Sequence, residues 1–264
     1  MKQVTYNQLG KNGRIGNCMF QIAATIGYAL DHGYDYVFPE WQYEYIYAHK
    51  LPTYSELMAK IEYQNLITIN ESGFEYNELP LLPIEKINLH GYFQSKKYWE
   101  KHTYTVHHFF KLNPDLEKSL QLSRITSFKG RSTCSIHVRR GDYLLPHATA
   151  YHGVLPLSYY LHAVNKLYGD NTDDVLFVIC SDDIEWCKAN FTFKNMIFGN
   201  STNEYGDMYL MAACRDNIIA NSSYSWWSAE LNTFPYKIVI APEKWFNQAP
   251  LNTKDLYNPE WIRL

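Results

Sequence analysis

An α/β fold with parallel sheets, GT-B-like in being divided into two Rossmann-like domains facing a cleft, is the architecture that this 264-residue sequence predicts. Three observations lead to it. Short β-branched runs such as TCSIHV (133–138), DVLFVIC (174–180) and KIVIAP (237–242) read as buried strands. Helix-patterned segments with start and stop signals separate them, and parallel neighbours need such crossovers. Near the N-terminus, a glycine-containing loop, LGKNGRIGN (9–17), lies between a strand pattern and a helix pattern and opens one more βαβ unit.

Taken in order, QVTYNQ (3–8) is a strand, CMFQIAATIGYALDHG (18–33) a helix ending on glycine, and YDYVF (34–38) a second strand. From about residue 39 to 129 the pattern weakens, although INLHGYF (87–93) reads as a strand and SKKYWEKH (95–102) as a helix. The polar stretch SLQLSRITSFKGRST (119–133) marks a domain boundary, giving an N-terminal domain over 1–128 and a C-terminal domain over 129–264. Beyond it, PLSYYLHAVNKLYG (156–169) has proline at its start and glycine at its end, and SDDIEWCKANF (181–191) carries a Ser-Asp cap; both are helices. NMIFGN is a short strand, NEYGDMYLMAAC a helix, NIIAN a strand and SSYSWWSAELN a serine-capped helix. In such sheets ligands collect beyond the carboxyl ends of the strands, so the loops at 139–143, 181–183 and 221–225 converge on one crevice.

Composition narrows the function. Hydrophobic residues at 46% and charged residues at 19% describe a globular protein. A formal charge of -3, from 24 Lys+Arg against 27 Asp+Glu, removes any general electrostatic reason for nucleic-acid binding. The 23 tyrosines and 7 tryptophans read first as packing and second as flat faces for sugar rings. Five cysteines without CxxC pairing argue against a disulfide framework and a structural zinc site, and fit a reducing compartment. Neither an apolar h-region nor a membrane-length apolar run is visible.

The most informative stretch is IHVRRGDY (136–143), two arginines on a turn after a buried strand. A guanidinium grips phosphate oxygens bidentately, so Arg139 or Arg140 is a natural diphosphate clamp. The alternative is an ion pair with Asp142, worth little at a surface. Arg140-Gly141-Asp142 also spells an adhesion tripeptide, which needs a secreted, exposed loop and is set aside. GRIGN (13–17) matches half of a dinucleotide fingerprint, and Asn17 either caps the helix or holds a substrate hydroxyl. Asp182, in SDD, is equally well a helix cap or a carboxylate facing the N–H edge of a base. Ser222 and Ser223 at a helix start suit both capping and anion binding. Trp226 and Trp227 read as core. No D-x-D occurs and the histidines lack metal-ligand spacing, so no metal and no cofactor are expected, and arginine with a helix end must neutralise a diphosphate.

Four segments in order, GRIGNCMFQIA, IHVRRGDY, FVICSDDIEWCK and NEYGDMYLMAACRDNIIANSSYSWWSAELN, resemble the bacterial α-1,2-fucosyltransferases of glycosyltransferase family 11 from residue 13 to about 232. The resemblance implies a GT-B fold with the donor bound mainly by the C-terminal domain. It implies inverting transfer of L-fucose from GDP-β-L-fucose to the 2-hydroxyl of a galactose, without metal. By the same resemblance His137 touches guanosine, Arg139 the β-phosphate, Asp182 the guanine edge and the Ser222–Ser223 helix start the diphosphate. Arg140 and Asp142 join them as substrate-binding residues, Arg14 and Asn17 lie on the loop facing the sugar, and Arg139 with Asn17 form the catalytic pair. Cys18 departs from the family, which commonly has glutamine there, and no catalytic base stands out. The implied partners are GDP-fucose and a galactose-terminated oligosaccharide or lipid-linked glycan, with no nucleic acid. The implied setting is the bacterial cytoplasm, compatible with peripheral association with the inner membrane face, in surface polysaccharide synthesis. Alternatives are fucosyl transfer to another linkage, such as α-1,6, and a non-catalytic GDP-sugar-binding module.

Overall fold

Both halves of the chain are built on parallel sheets, and each sheet reverses its strand order beside its first strand. The computed structural model describes residues 2–54, 66–120, 132–199, 205–247 and 251–264. Its strands are β1 (Gln3–Thr5), β2 (Asp35–Tyr36), β3 (Phe38–Pro39), β4 (Thr53–Tyr54), β5 (Ile67–Asn70), β6 (Lys86–His90), β7 (Ser132–Val138), β8 (Val175–Ser181), β9 (Met196–Phe198), β10 (Asp216–Ile218), β11 (Val239–Ala241) and β12 (Ile262–Arg263). By contacts the chain divides into a first unit, Met1–Leu116 with Asn252–Asn258, and a second, Glu117–Leu251 with Pro259–Leu264. The sequence boundary at 128/129 lies outside the described residues, and the sequence reading assigned 252–258 to the C-terminal domain.

The first unit has a four-stranded sheet in the order β2-β1-β6-β5 and a separate parallel pair, β3-β4. Between β1 and β2 runs the helix Ile15–His32, whose residues up to Ala29 are mostly buried. Gly33 stops it in the left-handed conformation, its N–H donating to the carbonyl of Ala29, as the glycine in the sequence predicts. The expected helix over 95–102 is instead two short 3-10 turns, Lys96–Tyr98 and Glu100–His102, ahead of a helix at Thr103–Phe109. Trp99, 1% exposed, sits between the turns at φ -148° and ψ 10°, outside the helical region, so anchoring its indole in the core interrupts the helix. Trp41, Tyr43, Tyr47 and Tyr54 are buried here while Tyr45 is exposed, so most of this aromatic cluster is packing.

The second unit has one six-stranded parallel sheet, β12-β11-β10-β7-β8-β9. Every residue of β8, and every residue of β7 after Ser132, is buried, as expected of parallel strands covered on both faces. One face carries Cys134, Ile136, Val138, Phe177 and Ile179 against Tyr160, Ala163, Val164 and Phe191 from the helices Leu157–Tyr168 and Ile184–Asn190 and the residue that follows the latter. On the other face Leu176, Val178 and Cys180 pack with Leu210, Met211 and Cys214, around the helix Gly206–Ala212. Burying each large aliphatic side chain is worth about 1.5–3 kcal/mol. Trp226 and Trp227 are fully buried, in agreement with their reading as core. All five cysteines are buried free thiols.

From β7 the chain proceeds to β8 and β9 on one side and then crosses to β10, β11 and β12 on the other, so the order reverses between β7 and β10. In the first unit the corresponding reversal lies between β1 and β6. A crevice at the carboxyl ends of two such strands is where open α/β sheets bind ligands.

Candidate functional site

The carboxyl edge of the second unit's sheet gathers the charged residues that the sequence singled out. Strand β7 ends at Val138, level with Ser181 at the end of β8, so the turns beginning at Arg139 and Asp182 leave the sheet side by side. The two arginines are held differently. Arg139 pairs through one Nη with Asp142 and through the other with Asp182 at 2.8 Å, its guanidinium 5.1 Å from the centre of the Tyr143 ring. Arg140 donates from Nε to Asp183 at 3.0 Å and lies 4.3 Å over the Trp186 ring. Both partners of Arg140 belong to the start of the next helix, so this side chain fastens turn to helix. Arg139 spans two carboxylates, and its Nε is buried with no hydrogen-bond partner among the described residues.

Asp182 organises the turn. One oxygen accepts from the backbone N–H of Arg140 at 2.8 Å and the other pairs with Arg139. A Cβ at position 141 would sit 2.5 Å from an Asp182 oxygen, which is why the turn needs glycine there. Each carboxylate oxygen has a second lone pair, so these bonds leave Asp182 able to accept further donors. Asp183, not Asp182, caps the following helix, accepting from the N–H of Trp186 at 3.2 Å.

The third loop follows β10. Ser222 caps the helix Ser223–Leu231, accepting from the N–H of Tyr224, and no acidic side chain occupies the first turn. Asn221 Nδ2 donates to the carbonyls of His152 at 2.8 Å and Trp245 at 3.2 Å, and the Tyr143 hydroxyl donates to the Asn221 carbonyl at 3.1 Å. Tyr143 also stacks on His152 with centroids 4.4 Å apart. Asn221, Tyr143 and His152 thus tie three loops together at this edge. Sequence reasoning did not assign them: Tyr143 was visible only as the last letter of the arginine motif, and nothing local marks His152.

His137, the penultimate residue of β7, is 5% exposed, with its ring 5.5 Å from that of Tyr224. Burial, seconded by the positive charge of Arg139, pushes its pKa down to about 3, so the imidazole is neutral at working pH. Its Nδ1, the Oδ1 of Asn221 and the Nδ1 of His152 are buried and unpartnered among the described residues. Buried polar atoms are normally satisfied, so a cluster of exceptions at a sheet's switch point marks a place where a polar ligand belongs. His137, Arg139, Arg140, Asp142, Asp182, Ser222 and Ser223 all lie in the loops and strand ends of this edge. Arg14 and Asn17 belong to the first unit. Arg14 is the residue before the helix Ile15–His32 and makes no side-chain cap, while Asn17, inside its first turn, accepts from Gln94 Nε2 at 2.8 Å.

Comparison with known proteins is consistent with this geometry. The family described as Glycosyl transferase family 11 matches residues 2–264. The O-antigen biosynthesis glycosyltransferase WbnK of Escherichia coli is 41% identical over 186 residues, which are 67% of this chain and 60% of that protein. An alpha-1,2-colitosyltransferase of Escherichia coli is 33% identical over 186 residues, 66% of this chain and 61% of that protein. The matches thus span about three fifths of the length of these two curated relatives. Among solved structures, the fucosyltransferase NodZ from Bradyrhizobium superposes with a TM-score of 0.56 at 15% identity, over 91% of this chain and 94% of that one. At that identity the likeness concerns the fold alone, which is α/β and GT-B-like.

Proposed function

This chain belongs to glycosyltransferase family 11, and on that premise we propose that it transfers L-fucose from GDP-β-L-fucose to the 2-hydroxyl of a galactose residue, with inversion, forming an α-1,2 link. The observation that carries the donor half of this reading is the set of unpartnered buried polar atoms on His137, Arg139 and Asn221 at the switch point of the second unit.

In this reading the carboxyl edge of β7, β8 and β10 takes the nucleoside diphosphate. Neutral His137 bonds the guanosine through a nitrogen that has no partner among the described residues, and the remaining lone pairs of Asp182 accept from the guanine edge. Arg139, preorganised by Asp142 and Asp182, meets the β-phosphate. As the anomeric C–O bond to that phosphate breaks and the galactose oxygen closes on the opposite face, negative charge collects on departing GDP. A fixed guanidinium and the first-turn N–H groups of the helix Ser223–Leu231 stabilise that charge without reorganising. Arg140, bound to Asp183 and Trp186, contributes by holding the turn. An oxocarbenium-like transition state lowers the demand for a strong base at the acceptor hydroxyl. Metal-independent turnover, an acceptor in an oligosaccharide or lipid-linked glycan, and a cytoplasmic place in surface polysaccharide synthesis belong to the same proposal; the O-antigen relative supports the last. A second reading, α-1,2 transfer of colitose, has the support of the colitosyltransferase relative.

The test offers purified protein GDP-fucose or GDP-colitose with galactose-terminated disaccharides, in EDTA. A product heavier by one deoxyhexose, with an α-1,2 linkage by NMR, is expected. Transfer only from the colitose donor selects the second reading, an α-1,6 product corrects the linkage, and GDP-fucose binding with neither transfer nor hydrolysis points to a non-catalytic binding module.

A further inference from the structure

The first unit has its own switch point, at the carboxyl ends of β1 and β6, and the chain there is held under strain. After β6 the backbone runs Gly91-Tyr92-Phe93-Gln94. Phe93 has φ +52°, a left-handed conformation that a bulky residue seldom adopts, and its ring is completely buried. Such strain costs on the order of 1–3 kcal/mol and persists only where the surroundings over-determine it. Glu71, just after β5, supplies the determination: one carboxylate oxygen accepts from the N–H of Tyr92 at 2.6 Å and from that of Phe93 at 2.9 Å. Gly91, at φ +159°, leaves room for it, since a Cβ there would lie 2.4 Å from the Glu71 side chain. The Tyr6 hydroxyl fixes the other side of the turn by donating to the Gly91 carbonyl at 2.7 Å.

The outcome is the placement of Gln94. Its Nε2 donates to Asn17 Oδ1 at 2.8 Å, while its Oε1 is buried with no partner among the described residues, the side chain being 7% exposed. A buried carboxamide left half satisfied, at a switch point and at the end of a strained turn, has an unused hydrogen-bonding group where open α/β sheets bind ligands.

We infer that Gln94 is a substrate-contacting residue of the first unit, its unpartnered amide bonding a sugar hydroxyl, and that Glu71 is the positioning residue that holds it beside Asn17. The inference rests on the glycosyl-transfer reading above. The hydroxyl belongs to the acceptor glycan or to the sugar of the donor, and kinetics separate the two. In Gln94→Met, kcat/KM for transfer falls about tenfold, the scale of one lost hydrogen bond to substrate. A rise in acceptor KM alone assigns the hydroxyl to the acceptor. Weakened GDP-fucose binding with unchanged GDP binding assigns it to the donor sugar. Glu71→Ala reproduces the defect and Glu71→Gln, which keeps an oxygen for the two N–H groups, restores activity, with thermal midpoints followed in parallel.

Unchanged kinetics in a folded Gln94→Met overturn the inference while fucosyl transfer stands. Parallel losses of thermal midpoint, GDP affinity and rate also overturn it, as signs of a structural role. If the wild-type protein transfers no sugar, the parent reading fails separately. Saturation-transfer NMR of a methyl galactoside and of GDP-fucose with both proteins then decides: sugar signals lost in the variant uphold the assignment, and equal signals refute it.

Discussion

The two switch points of this molecule are furnished in opposite ways. At the second unit's edge the side chains are charged and paired with one another: Arg139 and Arg140 face Asp142, Asp182 and Asp183, two cations against three carboxylates. At the first unit's edge two neutral carboxamides, Gln94 and Asn17, bond one another, the nearby carboxylate of Glu71 is turned onto backbone N–H groups, and exposed Arg14 stands just before the helix that carries Asn17. An edge of paired charges suits a nucleoside diphosphate, which exchanges one set of ion pairs for another. Paired carboxamides suit hydroxyls, which need direction more than charge. The same topology thus presents two chemistries, set by the residues that follow the strands.

The largest test of this contrast removes the charged half. Arg139→Ala is expected to lower kcat/KM at least about 100-fold, by comparison with losing one preorganised donor to a developing anion. It leaves Asp142 and Asp182 facing the site without their cation, so GDP affinity falls with it. Near wild-type turnover and GDP affinity in calorimetry would erase the distinction between the two edges.

A second test uses pH, because a buried histidine at one edge and a partly buried carboxylate at the other oppose each other in sign. His137 has its folded pKa depressed to about 3 from a reference of 6.5, so its contribution to stability is complete above pH 6.5 and is lost as pH falls towards 3. Replacing it, as in His137→Gln, flattens the acid limb of a stability profile by several kcal/mol at its lowest point. Glu71 is the reverse: desolvation outweighs its two backbone hydrogen bonds and raises its pKa from 4.5 to about 7. Its proton-bound form stabilises the fold below pH 4.5, and that benefit is lost as pH rises through 7. Glu71→Gln is therefore expected to gain stability over the wild type between pH 5 and 8, on the order of 2 kcal/mol after allowing for partial exposure. A difference in thermal midpoint that does not change with pH would show that the carboxylate is not strained by burial.

The smallest expected effect sharpens the charged edge. The Asp142 side chain, 40% exposed, occupies one Nη of Arg139 that a phosphate would approach. Asp142→Asn removes one of three carboxylates, and GDP is expected to bind a few-fold more tightly at low salt, with the gain fading as salt screens it. Weaker binding would mean that Asp142 serves mainly to orient the guanidinium.

Much of the second unit was legible in the sequence because its strands are buried on both faces. Continuous apolar runs such as 175–180 and capped helices between them leave little choice but parallel crossovers. The first unit was harder to read beyond its opening βαβ segment. β3, β4 and β5 are two to four residues long, too short for a periodicity to declare itself, and the helix expected at 95–102 gave way because burying Trp99 outweighed local propensity.

The sequence by itself determined the fold class, the family-bearing motifs and the arrival of His137, Arg139, Asp182 and Ser222 at strand ends, since all of these are local consequences of strand, turn and cap chemistry. Only the tertiary structure decided how those residues pair. Whether Arg139 met Asp142, Asp182 or neither depended on which turn lay beside it, and that followed from the register that sets Val138 level with Ser181. Glu71 and Gln94 were silent in sequence, and Asn221 was marked only as part of a loop, for the same reason: their partners are far away along the chain, and only the tertiary fold brings them within hydrogen-bonding reach.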